Sequence, residues 1–434
     1  LRYKINNIYL KPPNIVKTAI DSIIDFLSQE PVIKKIRCDT MRVAIFTGTI
    51  SLQEENHDVR RLYITERLKY FSLTNVQLEV VTPQVNKSAL PEGKNIKYNM
   101  YKLMKKKHLK LISVLINSSV KLKELDCKLI HCYTHHAAIV AWLINHTRKN
   151  KYLIIYEPMG LAYEESKLDQ MHSVKVKILR PFIKFEETLA YKRSNAVAVY
   201  TNMLKNYVSK EFYIDAKKIY VIPHGINLKH PAMNNNTRKF SILNKLNIPQ
   251  KNKIVLYAGS LSDLHGTPFL IEAIDIVNKK RQDVSFLVLG RGALEGKIKT
   301  FIKENQLTNT HLLGFVPQEE TEIYLSLADI LVIPHAKCMQ TELDQPTKLY
   351  EYLDSGKPIV SFNLKAIAEV VGNNAILVEP DSPKALADGI LTLIEDEALC
   401  KKLGEKGKSI VEEYTWERSA EKQYELYKEL YKNI

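Results

Sequence analysis

The chain has 434 residues, of which 45 % are apolar and 26 % charged, enough to build cores for two domains and far from the composition of a disordered chain. No apolar run approaches the ~20 residues needed to cross a bilayer as a helix, and the five cysteines form no CxxC pair, which speaks against a zinc ribbon or a disulfide scaffold. The net charge of +15 is unevenly spread: residues 41–222 carry 30 Lys and Arg against 16 Asp and Glu, whereas residues 223–434 carry 26 against 28.

Residues 1–40 precede Met41, where MRVAIFTG reads as the first strand of a nucleotide-binding domain. They are taken as an N-terminal extension, either non-native or a docking helix, because Ile15, Ala19, Ile23 and Phe26 recur at helical spacing. Residues 1–30 hold scattered charge and no compact apolar stretch before a small-residue cleavage site, so no secretory leader is expected. A cytoplasmic location is expected, with peripheral attachment at the inner face of the cell membrane.

From Met41 onward, short apolar runs alternate with longer amphipathic ones. Strands are expected at Val43–Thr47, Val76–Val81, Leu129–Cys132, Tyr152–Tyr156, Ala196–Tyr200 and Ile219–Ile222, with helices such as Val59–Phe71 and Ala137–Asn150 between them. The second half repeats the pattern at Ile254–Ala258, Ser285–Leu289, His311–Leu313, Ile330–Ile333, Ile359–Ser361 and Ile376–Val378. Such alternation is the sequence form of βαβ units and buried parallel sheets. Two series predict an α/β chain of two Rossmann-like, doubly wound domains facing a cleft. The polar stretch Asn227–Asn252 marks the boundary, giving domains 41–225 (with a crossover helix at 413–434) and 226–412.

The basic half is densest at Lys102, Lys105, Lys106, Lys107 and Lys110, then at Lys175, Lys177, Arg180 and Lys184. Charge of one sign on one domain predicts an anionic partner. An anionic membrane surface, or a lipid-linked or polysaccharide acceptor, is expected. Nucleic acid is not, because aromatics do not interleave with the basic residues.

Open α/β sheets bind ligands beyond the carboxyl ends of their strands. The strand at 255–258 runs into Gly259–Ser260 and reaches His265–Gly266 before a helix at Phe269–Asn278. The strand ending at Leu289 meets Gly290–Arg291–Gly292, only part of a Gly-rich fingerprint. More specific is the segment TELDQPTKLYEYLDSGKPIV (341–360). It starts a helix near Thr347, with Lys348 placed to neutralise diphosphate oxygens and Glu351 to accept hydrogen bonds from ribose hydroxyls.

The second half resembles the donor domain of the large retaining glycosyltransferase family 4 (glycosyl transferases group 1), which has the GT-B fold. The matching stretches are IYVIPHGINL (219–228), VLYAGSLSDLHGTPFLIEAI (255–274), FLVLGRGALEGKI (286–298), LLGFVPQEETEIYLSLADILVIPH (312–335) and TKLYEYLDSGKPIV (347–360). YTWERSAEKQYELY (414–427) is similar to the family's terminal helices, and the first half matches more loosely through MRVAIFTG, LIHCYTHHAA and RSNAVAVYTNMLKNY. The resemblance implies donor-binding roles for Gly48, Gly259, Ser260, His265, Gly290, Arg291, Gly314, Phe315, Val316, Thr347, Lys348, Leu349 and Glu351. It implies catalytic roles for His135 or His136, one of which would meet the sugar, and for an acid preceding Glu351.

Three departures stand out. Ser260 and His265 occupy positions where the family usually offers Arg and then Lys to the diphosphate. The family's first paired glutamate falls on Leu343, flanked by Glu342 and Asp344, of which Asp344 is favoured. The usual Gly-rich loop of the first domain is reduced to Thr47–Gly48–Thr49.

The implied reaction is transfer of a hexosyl or N-acetylhexosaminyl group from a nucleotide-diphosphate sugar with retention of configuration. No cofactor and no metal are expected, since no DxD-like acidic motif stands near a donor strand. Alternatives are a sugar-nucleotide epimerase or hydrolase on the same fold, or a non-catalytic partner protein that has kept the fold and lost turnover.

Overall fold

A computed structural model describes residues 41–52, 59–85, 90–103, 110–167, 174–228 and 236–432. The expected helix within residues 1–40 lies outside them, as do Lys105, Lys106 and Lys107 and the side chains of Lys110 and Lys175. The chain divides into two compact units. One comprises residues 1–198, 214–220 and 423–434, the other residues 199–213 and 221–422. Residues 199–213, 221–225 and 413–422, expected with the first domain, group with the second unit.

The first unit is built on seven strands: β1 (Arg42–Phe46), β2 (Gln77–Pro83), β3 (Ile96–Tyr101), β4 (Leu129–Cys132), β5 (Leu153–Tyr156), β6 (Ala196–Val199) and β7 (Ile219–Val221), in the order β3-β2-β1-β4-β5-β6-β7. Pairings from β3 through β6 are all parallel. The order reverses between β1 and β4, which leaves a crevice beyond their carboxyl ends. Strands β1, β4 and β6 are apolar and buried along nearly their whole length, as expected where helices cover both faces.

Charge is also buried beneath this sheet. Glu157, just past β5, is fully enclosed and holds Arg67 at 2.9 Å and His131 Nε2 at 2.9 Å, and it accepts a hydrogen bond from Tyr63. Burial alone would raise the Glu157 carboxyl, but Arg67 and His131 bring it down to about 2. His131 also meets the Tyr427 hydroxyl at 2.8 Å through Nδ1, so the network ties the end of helix Trp416–Lys432 to β4.

Six strands form the second sheet: β8 (Lys253–Ala258), β9 (Val284–Leu289), β10 (Thr310–Gly314), β11 (Ile330–Ile333), β12 (Ile359–Phe362) and β13 (Ile376–Val378). Their order is β10-β9-β8-β11-β12-β13, and every pairing is parallel. Counted from β8 this is the dinucleotide-fold order 3-2-1-4-5-6, with its switch point between β8 and β11. Helices Thr267–Lys280, Glu295–Glu304, Thr347–Asp354 and Pro383–Glu395 bury one apolar face each on the sheet, through residues such as Ile274, Ile298, Leu349 and Leu386. Within the polar stretch read as the boundary, helix Asn236–Lys245 belongs to the second unit.

Candidate functional site

At the switch point of the second sheet, backbone staples hold the strand exits together. Gly259 N–H donates to Leu289, Leu261 N–H to Arg291 and Gly290 N–H to Gly314, at 2.7–3.0 Å. Glycine is required at two of these positions. Gly290 has φ +137° and a methyl on it would strike the Gly259 carbonyl oxygen, while Gly266, at φ +66°, lies so close to the Pro334 carbonyl that no Cβ fits. Gly266 is also the N-cap of helix Thr267–Lys280, which has no side chain capping it, so its positive end stands at the crevice between β8 and β11.

Helix Thr347–Asp354 begins after Pro346, whose fixed φ suits a helix start, and ends at Gly356 with φ +68°. Leu349, Tyr350, Tyr352 and Leu353 face the core, and the Tyr352 hydroxyl accepts the Ala258 N–H at 2.8 Å, fixing the helix to the end of β8. Lys348 and Glu351, three residues apart, therefore share the remaining face.

The stem of Lys348 is partly exposed, but its ammonium nitrogen is buried and has no hydrogen-bond partner. It lies 4.5 Å from the centre of the Tyr257 ring, in space that a side chain on Gly259 would fill. Burial pulls its pKa down to about 7, and the Glu351 carboxylate opposes that only in part. His265 stands beside it with Nδ1 2.8 Å from Ser262 Oγ. Burial, then the charge of Lys348, bring this imidazole down to about 4. His335, just past β11, packs edge-on to His265 with ring centres 4.9 Å apart. It too is held well below the usual histidine range by burial and by Lys348, and its Nε2 has no partner.

One buried cation, two neutral imidazoles and the positive end of a helix without a side-chain cap thus converge, and the Glu351 carboxylate compensates the buried ammonium only in part. Such a set suits an anion, which would offset the remaining cost of burying Lys348.

The other expected donor residues divide by role. Arg291 is exposed, and its Nε passes 3.9 Å from where a Cβ on Gly314 would stand. Phe315 is 54 % exposed at the end of β10, Val316 packs partly on the core, and Ser260 and Thr347 are exposed. Leu349 is a correction: its side chain is fully buried in the core and its N–H is taken by the Pro346 carbonyl, so it supports the helix and offers nothing to a ligand. Glu342 is buried with Lys365 3.6 Å away, whereas Asp344 ends helix Met339–Leu343 and stays half-buried.

Gly48, His135 and His136 lie in the first unit, at the exits of β1 and β4, its own switch point. Gly48 has φ +61° and is packed against Thr134, which caps helix His135–Thr147 by accepting the Ala137 N–H. The Nε2 atoms of the two histidines are 3.1 Å apart. Burial holds both rings neutral, His135 well below its usual value and His136 at about 4.

Sequence reasoning missed His335, Tyr257 and Glu186. His335 follows a strand end, where a search of every strand exit would have found it. Tyr257 lies inside β8 and Glu186 within helix Val174–Arg193, positions that in sequence look like packing and a solvated helix face.

Comparison with known proteins agrees with this layout. Residues 239–410 match the family described as Glycosyl transferases group 1, and residues 62–230 match Glycosyltransferase Family 4. An uncharacterized glycosyltransferase of Methanocaldococcus jannaschii is 26 % identical over 60 % of this chain and 67 % of its own length. The poly(ribitol-phosphate) alpha-N-acetylglucosaminyltransferase of Staphylococcus aureus is 25 % identical over 56 % of this chain, which spans only 48 % of that relative. Among solved structures, HepE of Anabaena in complex with UDP has a TM-score of 0.67 at 15 % identity, covering 89 % of this chain and 99 % of that one. With both halves matched in order and a parallel-sheet α/β unit in each, the chain belongs to the family 4 glycosyltransferases of the GT-B fold.

Proposed function

We propose that this glycosyltransferase takes a hexosyl or N-acetylhexosaminyl group from a nucleoside-diphosphate sugar and passes it, with retention of configuration, to a lipid-linked or polysaccharide acceptor. The observation that carries the donor assignment is the buried, unpartnered Lys348 ammonium over Gly259, beside an uncapped helix N-terminus. The diphosphate would accept from Lys348 and lie at the positive end of helix Thr267–Lys280, and Glu351 would receive the ribose hydroxyls. Phe315 and Val316 would border the base. UDP in the HepE structure supports a nucleotide of this kind.

Developing charge on the leaving diphosphate would be met by Lys348 and the helix dipole, with no divalent metal required there. Among the described residues the acids near this pocket, Glu351 and Asp344, form no cluster that could hold an ion. One of His135 and His136 would face the sugar, and Asp344 or Glu342 would complete the catalytic set. Retention is inferred from the family, and the acceptor class from the poly(ribitol-phosphate) in the name of the staphylococcal relative and from the basic first half. The same basic half supports peripheral attachment to an anionic membrane. No described helix is long and apolar enough to cross one.

Thermal unfolding with a panel of nucleotides tests the core of this reading. A nucleoside diphosphate at ~100 times its dissociation constant should add ~2.7 kcal/mol of stability. Glu351→Ala should abolish that gain for UDP while leaving unfolding of the free protein within a degree or two. A panel in which no diphosphate stabilises the wild type would overturn the donor assignment.

A further inference from the structure

Two helices of the first unit carry three metal-ligating side chains to one point. His135 and His136 open helix His135–Thr147, with ring centres 4.0 Å apart and Nε2 atoms 3.1 Å apart. Helix Val174–Arg193 packs against it and supplies Glu186, so that one ligand atom from each residue lies within 4.8 Å of the others. We propose that His135, His136 and Glu186 bind one divalent transition-metal ion, with Zn²⁺ the best fit.

The spacing favours this over a simple contact between rings. Two imidazole nitrogens on one tetrahedral zinc, each at ~2.0–2.1 Å, stand about 3.3 Å apart, close to the separation here. Consecutive residues of a helix point about 100° apart, so two neighbouring rings that turn their Nε2 atoms together do so against the helical default. A hydrogen bond between the rings would use one N–H and leave the Glu186 carboxylate without a part. A cation would engage all three groups.

Electrostatics requires the carboxylate. The first turn of a helix is its positive end and disfavours a cation, and Glu186 supplies the compensating charge from the neighbouring helix. Two imidazoles and one carboxylate select Zn²⁺, Co²⁺, Ni²⁺ or Cu²⁺ over Mg²⁺ or Ca²⁺, whose preferred ligands are oxygens. Three protein ligands also leave a fourth position for water or a sugar hydroxyl, and through it the histidine pair would meet the sugar. The site thus differs from a metal clamp on the donor diphosphate, which the proposed function does without.

The test is Zn²⁺ binding to the metal-free full chain, by competition with a fluorescent chelator, together with X-ray absorption of the loaded protein. The expected result is one ion per chain. Binding should weaken at least tenfold in Glu186→Gln and further in His135→Ala and His136→Ala, and tenfold excess Mg²⁺ should not displace the ion. The absorption spectrum of the wild type, which does not depend on any variant folding, should show nitrogen and oxygen ligands with two imidazoles. Absence of binding, affinity unchanged in all three variants, or a sulfur ligand from a cysteine would overturn the proposal. A variant-sensitive ion in a chain that no nucleotide stabilises would leave this site standing and remove the donor assignment, so the two readings fail separately.

Discussion

The binding role proposed for Lys348 carries a cost in stability. Its ammonium is buried without a hydrogen-bond partner, and its pKa falls from 10.5 to about 7. A lysine with a folded pKa below its unfolded one imposes no cost above about pH 10.5. The cost grows as pH falls toward 7 and is constant below that. At ~1.4 kcal/mol per unit it amounts to a few kcal/mol near neutrality, reduced by the contact with the Tyr257 ring. Lys348→Met should therefore raise the melting temperature at pH 7 and lose that advantage toward pH 10, while abolishing stabilisation by UDP. Binding to the wild type at pH 8 should take up close to one proton, because a diphosphate restores the charged form. Calorimetry in two buffers of different ionisation enthalpy would read that proton directly. Equal heats in both buffers would refute the linkage. His265 cannot substitute for the missing cation, since at about 4 its imidazole is neutral across the physiological range. The Ser260 and His265 departures thus leave the pocket with one buried charge, and slow turnover is expected.

Between elements, the pocket depends on glycines that let strand exits touch. Gly290→Ala places a methyl against the Gly259 carbonyl oxygen at φ +137°. Gly372 offers an internal comparison: it too has positive φ, +52°, but nothing lies within 4 Å of where its Cβ would stand. Gly372→Ala should cost only the conformational penalty of a sparsely populated backbone region (φ +52°, ψ −123°), ~1–3 kcal/mol. Gly290→Ala should cost more, by the ~1–3 kcal/mol typical of overpacking, and should also abolish UDP stabilisation. Similar losses in the two variants would mean that the staples between β8 and β9 do not shape the pocket. At this scale the sequence was readable where strands are buried on both faces, as at β4 and β11, whose bounds match the apolar runs residue for residue. It was silent on β3, because IKYNMY lies at the sheet edge, where only one neighbour pairs with it and polar side chains remain in solvent. That Lys348 and Glu351 share one helix face was legible from their spacing. The surroundings of His335 and Glu186 were not, since they come from elements far away in sequence that packing brings beside them.

At the scale of the molecule, positive charge and exposed apolar side chains coincide on a surface helix of the first unit. Val174–Arg193 leaves Ile178 73 % exposed, Leu179 51 % and Phe182 44 %, and the same helix carries Lys177, Arg180 and Lys184. Residues 41–222 hold 14 more positive than negative side chains. A helix that offers apolar side chains among basic ones suits the boundary of an anionic bilayer, where each Lys or Arg near the surface contributes ~1 kcal/mol and buried apolar side chains add to it. Binding to vesicles rich in anionic lipid should therefore exceed binding to neutral vesicles. It should weaken as salt rises from 50 to 300 mM, because the screening length, ~8 Å at physiological salt, shortens over that range. Ile178→Ser with Phe182→Ser should reduce vesicle binding several-fold at fixed salt, and neither melting temperature nor UDP stabilisation should change, because both side chains are exposed and the nucleotide pocket belongs to the second unit. Salt dependence without any effect of the double substitution would assign the attraction to diffuse charge alone. Binding that ignores both salt and lipid charge would remove the membrane from the account of the acceptor.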